Sequence, residues 1–278
     1  MLSHKLGLGT VQFGLPYGIS NTSGQTSAEE VSKILQAASE HGVTVLDTAS
    51  AYGNAESVLG KNDLQKFTVV SKYITPSAGK SIEEQLQQSL NDLQVKSLYG
   101  YLAHRPVEIL NDAPQWKTLK ELQQKGLVQK VGFSLNTTEE LQALLDKNFI
   151  PDLIQVPYSY FDNRFENLMM ELKEKGCEVH TRSAFLQGLF FKDTNTLPSF
   201  FDLVKPLIKS VQQQTHNISG ALLHFVAAKQ FIDKVIIGVE NAQQLLINIR
   251  DMKLGIELDN NTTVIPEQIL VPSNWPKQ

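Results

Sequence analysis

The chain has 278 residues, with 41% hydrophobic and 19% charged side chains, which supplies a full apolar core and excludes a disordered chain. Its 25 lysines and arginines are balanced by 29 aspartates and glutamates, and a net charge of −4 offers no basic surface for nucleic acid or an anionic membrane. Cys177 is the only cysteine, which excludes an intrachain disulfide and a cysteine-rich zinc site.

Apolar runs along the chain are short. The longest, such as residues 221–228, fall far below the roughly 20 residues that a membrane-spanning helix needs. The first nine residues contain no long apolar run and no signal-type cleavage site. With the single cysteine, these features predict a soluble protein of the cytoplasm.

Short apolar, β-branched segments alternate with longer amphipathic segments along the chain. Eight segments have the pattern of buried strands, and they are residues 5–9, 44–48, 68–72, 98–103, 130–134, 152–156, 178–183 and 234–238. After the first helix, apolar residues recur at helical spacing in residues 81–90, 113–125, 138–147, 164–175, 198–214, 219–230 and 242–252. The chain is therefore predicted to consist of repeated strand–helix units.

The first helix is predicted to begin after Ser27, because Ser27 and Glu30 have the spacing of a capping box. Gly42 stands at the expected end of this helix, where glycine takes up a left-handed backbone conformation without steric cost. Gly126 and Gly176 are predicted to end two later helices in the same way.

Eight strands with helices between them predict a (β/α)8 TIM barrel, an α/β fold of roughly 250 residues. Glycine and proline are spread evenly and no linker divides the chain, so we predict a single domain over residues 1–278. A doubly wound sheet, the alternative, usually carries a G-x-G-x-x-G loop after its first strand. Here Gly7 and Gly9 lie within the strand and Gly14 is the next glycine, so the barrel is favoured.

Active sites of such barrels lie at the carboxyl ends of the strands. The residues at these ends are Thr10, Gln12, Asp47, Lys72, His104, Ser134, Gln155, Arg182 and Gly238. Asp47, Lys72 and His104 follow the second, third and fourth strands, which are neighbours in the barrel, so their side chains are expected to converge. Tyr52, on the loop after the second strand, is close enough in sequence to join them.

A cluster of tyrosine, lysine, aspartate and histidine suits the protonation of a carbonyl oxygen. The pKa of a free tyrosine is about 10, and a nearby ammonium lowers it because the ammonium favours the phenolate. An aspartate keeps that ammonium charged, and a neutral histidine can hydrogen-bond the carbonyl oxygen and orient it. The cluster therefore predicts carbonyl reduction, with hydride delivered to the carbonyl carbon.

Seven stretches carry a family resemblance, and they are residues 6–14 (LGLGTVQFG), 46–56 (LDTASAYGNAE), 70–72 (VSK), 103–106 (AHRP), 131–134 (VGFS), 154–158 (IQVPY) and 237–238 (IG). Together, and in this order, they resemble the aldo-keto reductase superfamily. The most specific is the Asp-Thr-Ala…Tyr-Gly…Glu block with its downstream lysine and histidine. The segment from Arg182 to Leu189 also resembles aldo-keto reductase-like proteins of polysaccharide biosynthesis.

The resemblance implies a nicotinamide cofactor, usually NADP(H), bound at the C-terminal face of the barrel, and an aldehyde, ketone or sugar-like substrate. It implies Tyr52 as the proton donor, Lys72 and Asp47 as the pair that tunes Tyr52, and His104 as the residue that orients the substrate. The residues it implies in cofactor binding are Thr10, Gln12, Asp47, Ser134, Gln155, Arg182, Ser183, Gln187, Gly188, Gly238, Glu240, Gln244 and Asn248. The remaining histidines lack metal-ligand spacing, so no metal is predicted.

Two residues depart from the family pattern. Arg182 stands where many members carry an aromatic residue that stacks on the nicotinamide, and a guanidinium there would favour the reduced cofactor or bind an anionic substrate. Glu240 stands where many members have an arginine that binds the 2′-phosphate of NADP. Because a carboxylate repels a phosphate but accepts hydrogen bonds from a ribose hydroxyl, Glu240 makes NAD(H) the alternative cofactor.

Two other functions remain open on the residues alone. One is a cofactor-binding regulatory or scaffold protein with little turnover, which the altered residues Arg182 and Glu240 favour. The other is a barrel isomerase or hydrolase, but such an enzyme needs paired carboxylates and only Asp47 lies at a strand end. Five aromatic residues fit either a pocket wall or ordinary packing, and they are Phe13, Tyr17, Tyr160, Phe161 and Trp275.

Overall fold

The computed structural model describes residues 2–18, 21, 23–76, 79–259, 261 and 263–276. In these residues, parallel strands close into a barrel in chain order, and the last strand pairs with the first. The strands are β1 (Leu6–Gly9), β2 (Val45–Asp47), β3 (Thr68–Tyr73), β4 (Leu98–Ala103), β5 (Val128–Ser134), β6 (Leu153–Pro157), β7 (Glu178–Arg182) and β8 (Lys234–Gly238). The predicted (β/α)8 barrel is confirmed, and each predicted strand overlaps an observed one.

The helices run outside the barrel or in the loops that connect its strands. They are α1 (Val11–Gly14), α2 (Ala28–Glu40), α3 (Ala55–Gly60), α4 (Ile82–Leu93), α5 (Val107–Asn111), α6 (Pro114–Gln124), α7 (Thr138–Asp146), α8 (Glu166–Glu174), α9 (Lys205–Gln214), α10 (Ile218–Ala227), α11 (Ala242–Met252) and α12 (Glu267–Leu270). Short 3-10 helices cover Leu2–Lys5, Leu186–Phe191, Ser199–Phe201 and Pro272–Asn274. None of the described helices combines the length and the apolar content that a bilayer crossing requires.

The prediction of one helix over residues 198–214 is wrong. A 3-10 turn, Ser199–Phe201, precedes α9, which begins only at Lys205. Pro206 lies in the first turn of α9, where its missing N–H does not break a helical hydrogen bond. A helix that continued from residue 198 would place this proline in its interior, so the chain starts a new helix there.

Local capping signals set where several helices begin. Ser81 with Glu84, and Thr137 with Glu140, form complete capping boxes at the starts of α4 and α7. The box predicted at Ser27 is only half formed: Ser27 accepts a hydrogen bond from the Glu30 N–H. The Glu30 carboxylate instead accepts from the Ala242 N–H, 2.9 Å away in α11, because the start of α11 has unpaired N–H groups of its own.

The predicted glycine stops are confirmed at the ends of three helices. Gly42, Gly126 and Gly176 have φ values of +76°, +73° and +87°, which lie in the left-handed region. At the first of these, the Val43 N–H donates to the Ala38 carbonyl at 2.9 Å, which closes the last turn of α2. These turns return the chain to the barrel for the next strand.

The main core lies between the strands and the surrounding helices. The barrel interior holds a smaller group of buried aliphatic side chains, which are Val45, Val70, Leu102, Leu153 and Ile236. Each buried side chain of this kind contributes about 1.5–3 kcal/mol of transfer free energy. The middle of the barrel is therefore packed, as in other barrels of this kind, rather than an open pore.

A polar cluster lies at the N-terminal end of the barrel. The Glu178 carboxylate accepts hydrogen bonds from the Tyr99 hydroxyl and from Lys130, and it lies 2.6 Å from Nε2 of the fully buried His180. Nearby, burial raises the pKa of the Cys177 thiol to about 12, so the thiol stays protonated and unreactive. These contacts leave the C-terminal end of the barrel as the place for a ligand.

A second apolar cluster lies beneath the segment between β7 and α9. Phe161 and Phe190 lie 4.6 Å apart there, and the Trp275 ring meets Phe201 edge-on at 5.1 Å. Of the aromatic residues whose role the sequence left open, Tyr160, Phe161 and Trp275 pack in this cluster, and Phe13 is buried in the main core. The cluster ties the chain after β7 to the C-terminal segment, near the rim of the barrel.

Candidate active site

A cavity of about 1090 Å³ opens at the C-terminal end of the barrel. The predicted site residues that line it are Thr10, Gln12, Asp47, Tyr52, His104, Ser134, Gln155, Arg182, Ser183, Gln187, Gly188, Gly238, Glu240, Gln244 and Asn248. Lys72 does not reach the cavity surface, because its side chain is fully buried behind the wall. The structure thus brings the predicted residues together, while their individual roles stay predictions.

The Lys72 ammonium lies behind the cavity wall, beside Asp47, which lines the cavity. Its Nζ donates to Asp47 Oδ2 at 2.7 Å and to the Thr48 carbonyl at 2.9 Å. Gln155, from the far side of the barrel, donates to the other oxygen of Asp47 at 2.6 Å. Burial alone lowers the pKa of Lys72, but the Asp47 carboxylate outweighs it and the net pKa of Lys72 is raised. The ammonium therefore stays charged.

Tyr52 lies between this ion pair and the opening of the cavity. The Lys72 Nζ is 5.1 Å from the centroid of the Tyr52 ring, and the ring of His104 meets that ring edge-on with a centroid distance of 5.8 Å. Tyrosine, lysine and histidine therefore converge as expected from their places after neighbouring strands.

Two glycines hold the Tyr52 loop close to the loop after β1. A Cβ atom on Gly14 would lie 1.7 Å from the Tyr52 carbonyl oxygen, so only a residue without a side chain fits there. Gly53 has a φ of +58°, and a Cβ on it would lie 2.5 Å from the Gly14 carbonyl oxygen. The backbone of Tyr52 is thus positioned by direct contact between two glycines of the motif stretches.

His104 is neutral in this site. Burial, and then the positive charges of Lys72, Arg182 and Arg105, lower the pKa of His104 to about 3. One nitrogen of a neutral imidazole carries a proton and the other does not, so the ring can donate a hydrogen bond to a carbonyl oxygen without carrying a charge.

Arg182, the residue that replaces the expected aromatic ring, is anchored at the end of β7. Its Nη2 donates to the Leu135 carbonyl at 2.9 Å and to Asn136 Oδ1 at 2.6 Å, both beyond the end of β5. Its Nη1 donates to Ser183 Oγ at 3.3 Å. The guanidinium is therefore held in one orientation at the cavity wall.

The backbone after β7 is strained. Ser183, Leu186 and Gln187 have φ values of +67°, +45° and +51°, a region that side chains other than glycine rarely adopt. Such conformations cluster at binding sites, where the surrounding structure holds them. Gln187 also donates to the hydroxyl of Tyr17 at 2.8 Å, which joins this segment to the loop after β1.

At the other end of the cavity, Gln12 packs over Gly238. A Cβ atom on Gly238 would lie 2.6 Å from Gln12 Nε2, so the absence of a side chain at Gly238 leaves room for the Gln12 amide. The buried Oε1 of Gln12 has no hydrogen-bond partner among the described residues. Nearby, Gln244 Oε1 accepts from the Glu240 N–H at 2.8 Å, before the start of α11.

Sequence reasoning missed several residues of the cavity wall. They are Val11, Gly18, Ala51, Ile74, Thr75, Arg105, Glu108, Asn136, Ala184, Phe185, Phe191, Val239, Ile247 and Ser273. Most belong to loops whose path cannot be derived from strand periodicity. Arg105 could have been predicted as a wall residue from the sequence, since it follows His104 at the end of β4.

Outside the cavity, no group of three or more His, Cys, Asp or Glu side chains in the described residues is arranged to hold a metal ion.

A family model described as the aldo/keto reductase family matches residues 5–263. Methylglyoxal reductase DkgA of Escherichia coli strain K12 is 33% identical over 137 residues, which cover 47% of this chain and 49% of that protein. Protein REDOX 2 of Catharanthus roseus is 26% identical over 197 residues, 61% of each chain. The chain thus spans about half the length of the first of these relatives.

Solved structures show the same fold at low sequence identity. An aldo-keto reductase from Bacillus halodurans in its holo form has a TM-score of 0.71 at 20% identity, over 96% of this chain and 90% of that one. An aldo-keto reductase from Klebsiella pneumoniae in complex with NADPH has a TM-score of 0.68 at 22% identity, over 92% and 87%.

Proposed function

The chain belongs to the aldo/keto reductase family, and from this we propose that it reduces an aldehyde, ketone or sugar-like carbonyl compound to an alcohol with NADP(H). The observation that carries the proposal is the buried Lys72–Asp47 pair, 2.7 Å apart, beneath the ring of Tyr52 and beside a neutral His104. A relative of the chain is named a methylglyoxal reductase, and a structural neighbour was solved with NADPH, which agrees with this class of reaction.

The cavity suits a dinucleotide. Its volume of about 1090 Å³ is slightly above the roughly 300–1,000 Å³ typical of small-molecule sites. The unpaired buried Oε1 of Gln12 needs a donor, and a ligand amide or hydroxyl would supply one. In this proposal Ser134 and Gln155 hold the nicotinamide, Ser183, Gln187 and Gly188 lie along the pyrophosphate, and Gly238, Gln244 and Asn248 frame the adenosine.

Tyr52 is the proton donor in this mechanism. Its hydroxyl gives a proton to the carbonyl oxygen, and the Lys72 ammonium stabilises the phenolate that remains. Asp47 and the Thr48 carbonyl hold Lys72 in place. When bound, the reduced nicotinamide supplies a hydride to the carbonyl carbon. The carbonyl compound thus gains a hydride and a proton and becomes an alcohol, and the cofactor is left oxidised.

His104 orients the substrate in this mechanism. Its neutral ring donates a hydrogen bond to the carbonyl oxygen, so that the oxygen points at Tyr52. Burial, and then the charges of Lys72, Arg182 and Arg105, lower the pKa of His104 and keep the ring from taking up a proton that would compete with Tyr52 as the acid.

A cytoplasmic location accompanies this proposal. A chain with one buried cysteine has no disulfide to protect, so it suits the reducing cytoplasm.

The first test is a calorimetric titration of the purified chain with NADPH and then with NADH, followed by a screen of aldehydes, ketones and sugars for cofactor oxidation. We expect tight binding of NADPH and turnover of at least one carbonyl class. Tight binding without turnover of any carbonyl would favour the regulatory or scaffold function. A folded chain that binds neither cofactor would contradict the proposal.

The role of Tyr52 is tested with Tyr52→Phe. Loss of a general acid lowers kcat by roughly 10²–10⁴-fold, while the affinity for NADPH is unchanged because only the proton donor is removed. Tyr99→Phe is the matched control, since Tyr99 lies at the opposite end of the barrel. Full turnover by Tyr52→Phe would assign the proton donor to another group.

A further inference from the structure

The Arg182 guanidinium has no counter-charge in the described part of the chain. Its hydrogen-bond partners in that part are two carbonyl-type oxygens, from Leu135 and Asn136, and the Ser183 hydroxyl. No carboxylate lies within ion-pair distance of it among the described residues. A cation that is partly withdrawn from water is stabilised by an opposite charge, and Arg182 has only neutral oxygens as partners.

The acidic groups of the cavity do not compensate Arg182. The Asp47 carboxylate is paired with Lys72 and with the Gln155 amide. The other acidic residues of the wall, Glu108 and Glu240, form no ion pair with Arg182. The positive charge of Arg182 therefore faces the cavity without an opposing charge from the described residues.

This charge lies near the reacting groups. Arg182 and Lys72 both lower the pKa of His104, so the Arg182 guanidinium is within electrostatic range of the histidine that orients the substrate. Arg182 is the last residue of β7 and pairs with Pro157 of β6. Pro157 lies two residues after Gln155 on that strand. Arg182, Tyr52 and His104 line the same cavity, so an anionic group bound to Arg182 would share that cavity with the carbonyl that Tyr52 and His104 contact.

Arg182 also has N–H groups that these contacts do not use. A guanidinium carries five N–H groups, and the contacts to Leu135, Asn136 and Ser183 use three of them. The anchored orientation lowers the entropy lost when a ligand binds, because the side chain is already fixed. Arginine is well suited to carboxylate and phosphate groups, which accept such hydrogen bonds with charge assistance.

We propose that Arg182 binds an oxyanion carried by the carbonyl substrate, so that the enzyme prefers carbonyl compounds that also bear a carboxylate or a phosphate. This inference rests on the proposed reductase function and adds its substrate class. The reaction is the same reduction, in which the carbonyl gains a hydride from the reduced nicotinamide and a proton from Tyr52. The oxyanion is bound and does not react.

The experiment compares pairs of aldehydes in which one member carries an oxyanion and the other member is neutral. Succinic semialdehyde, 3-carboxybenzaldehyde and 4-carboxybenzaldehyde are each measured against their methyl esters with NADPH, and glyceraldehyde 3-phosphate against glyceraldehyde. We expect kcat/KM to be roughly 10- to 100-fold higher for the charged member of at least one pair, as expected for a charge-assisted hydrogen bond. Preference within the acid–ester pairs identifies a carboxylate site, and preference within the glyceraldehyde pair identifies a phosphate site.

Arg182→Gln then tests the residue. We expect it to raise KM for the preferred charged substrate by roughly 10- to 100-fold, and to change the KM of the neutral member far less. Arg182→Lys keeps the charge and should recover part of the preference. Arg105→Gln is the matched control, because it removes the same charge from the exposed mouth of the cavity, where solvent screens it.

Different failures have different meanings. Equal kcat/KM for charged and neutral members would overturn the oxyanion site and leave the reductase function intact. A weaker NADPH affinity in Arg182→Gln, with equal losses for both members of a pair, would assign Arg182 to the cofactor instead. A larger loss in Arg105→Gln would move the site to the mouth. Turnover of no carbonyl compound would overturn the reductase function and this inference together.

Discussion

Lys72 is a fully buried cation whose charge depends on a single carboxylate. Its Nζ lies 2.7 Å from Asp47 Oδ2, and the two side chains have exposed fractions of 0% and 5%. At this depth the removal of one partner leaves the other charge uncompensated, which is far more costly than the loss of an exposed pair. The ion pair is thus a structural as well as a chemical feature of the site.

We expect Lys72→Met to lower the free energy of unfolding by about 3–5 kcal/mol, because it leaves the Asp47 carboxylate buried and unpaired. Urea denaturation followed by circular dichroism measures this. The double variant Lys72→Met, Asp47→Asn removes both charges and should be less destabilised than Lys72→Met alone. If the double variant has a lower free energy of unfolding than Lys72→Met, the buried Asp47 carboxylate does not need the Lys72 charge for its stability.

His104 gives a prediction about pH. Its pKa in the folded chain is about 3, against about 6.5 for an unperturbed histidine. Between these values the unfolded chain binds a proton that the folded chain does not, so His104 makes stability rise with pH. The contribution is fully present above pH 6.5 and is lost as the pH falls toward 3.

The measurement is the free energy of unfolding of the wild type and of His104→Gln at a series of pH values from 4.5 to 7. We expect the wild type to lose stability more steeply as the pH falls, by up to about 1.4 kcal/mol per pH unit relative to the variant. Parallel curves would mean that His104 titrates normally in the folded chain.

At the scale of elements, the contact between the loops after β1 and β2 decides where Tyr52 lies. Gly14 ends α1, and a Cβ on it would overlap the Tyr52 carbonyl oxygen. The two loops can approach this closely only because both Gly14 and Gly53 lack side chains. The position of Tyr52, the proposed proton donor, therefore depends on backbone contact as well as on side chains.

Gly14→Ala is expected to displace the Tyr52 loop and to lower kcat by 10-fold or more, since a misplacement of about 1 Å costs roughly 10²-fold in well-oriented reactions. Steady-state kinetics with a neutral aldehyde measures it. Gly24→Ala is the control in the same connection: its φ is +77°, but no atom lies within 4 Å of the added Cβ. It should lose some stability and keep kcat. Normal kcat in Gly14→Ala would show that the loops can separate without effect.

The start of α11 carries an unusual number of acidic groups for a phosphate site. The Glu30 carboxylate already accepts from the Ala242 N–H, and Glu240 lies two residues before the helix in the cavity wall. A helix N-terminus favours anions, but these carboxylates repel a second one. The preference of the chain for NADPH over NADH is therefore expected to be small for its family.

Replacement of Glu240 tests this expectation. We expect Glu240→Arg to strengthen NADPH binding relative to NADH by about 10-fold, because it replaces a repulsive charge with an attractive one. Titration calorimetry with both cofactors gives the ratio. Glu257→Arg makes the same charge change at an exposed position outside the cavity and should leave the ratio unaltered. An unaltered ratio in Glu240→Arg would place the 2′-phosphate elsewhere.

At the scale of the whole molecule, the barrel joins the two ends of the chain. Leu6 pairs with Val235, and the Lys234 ammonium donates to the His4 carbonyl at 2.7 Å. Because the sheet is closed, unfolding of any one strand leaves each of the two strands beside it without a neighbour. A single folding unit over residues 1–278 is therefore still our prediction for the domain organisation.

Differential scanning calorimetry tests that prediction. We expect one transition whose calorimetric and van't Hoff enthalpies agree, and a rise in Tm with NADPH because the cofactor binds only the folded barrel. Two separate transitions, of which only one moves with NADPH, would divide the chain into two units.

The sequence by itself determined the barrel and the strand ends that carry the proposed reacting groups. Strand and helix periods are local properties, so the eight strands, the helix stops at Gly42 and Gly126, and the strand-end position of Lys72 could all be predicted. The resemblance in the motif stretches indicated the family that the comparisons show.

Only the tertiary structure decided which groups distant in the chain became partners. The Glu30 carboxylate caps α11 rather than its own helix, Arg182 is anchored by Leu135 and Asn136, and Tyr17 meets Gln187. These contacts join residues between 46 and 212 positions apart. No local period specifies such partners, because a side chain forms hydrogen bonds with the unpaired groups that the closed barrel places beside it.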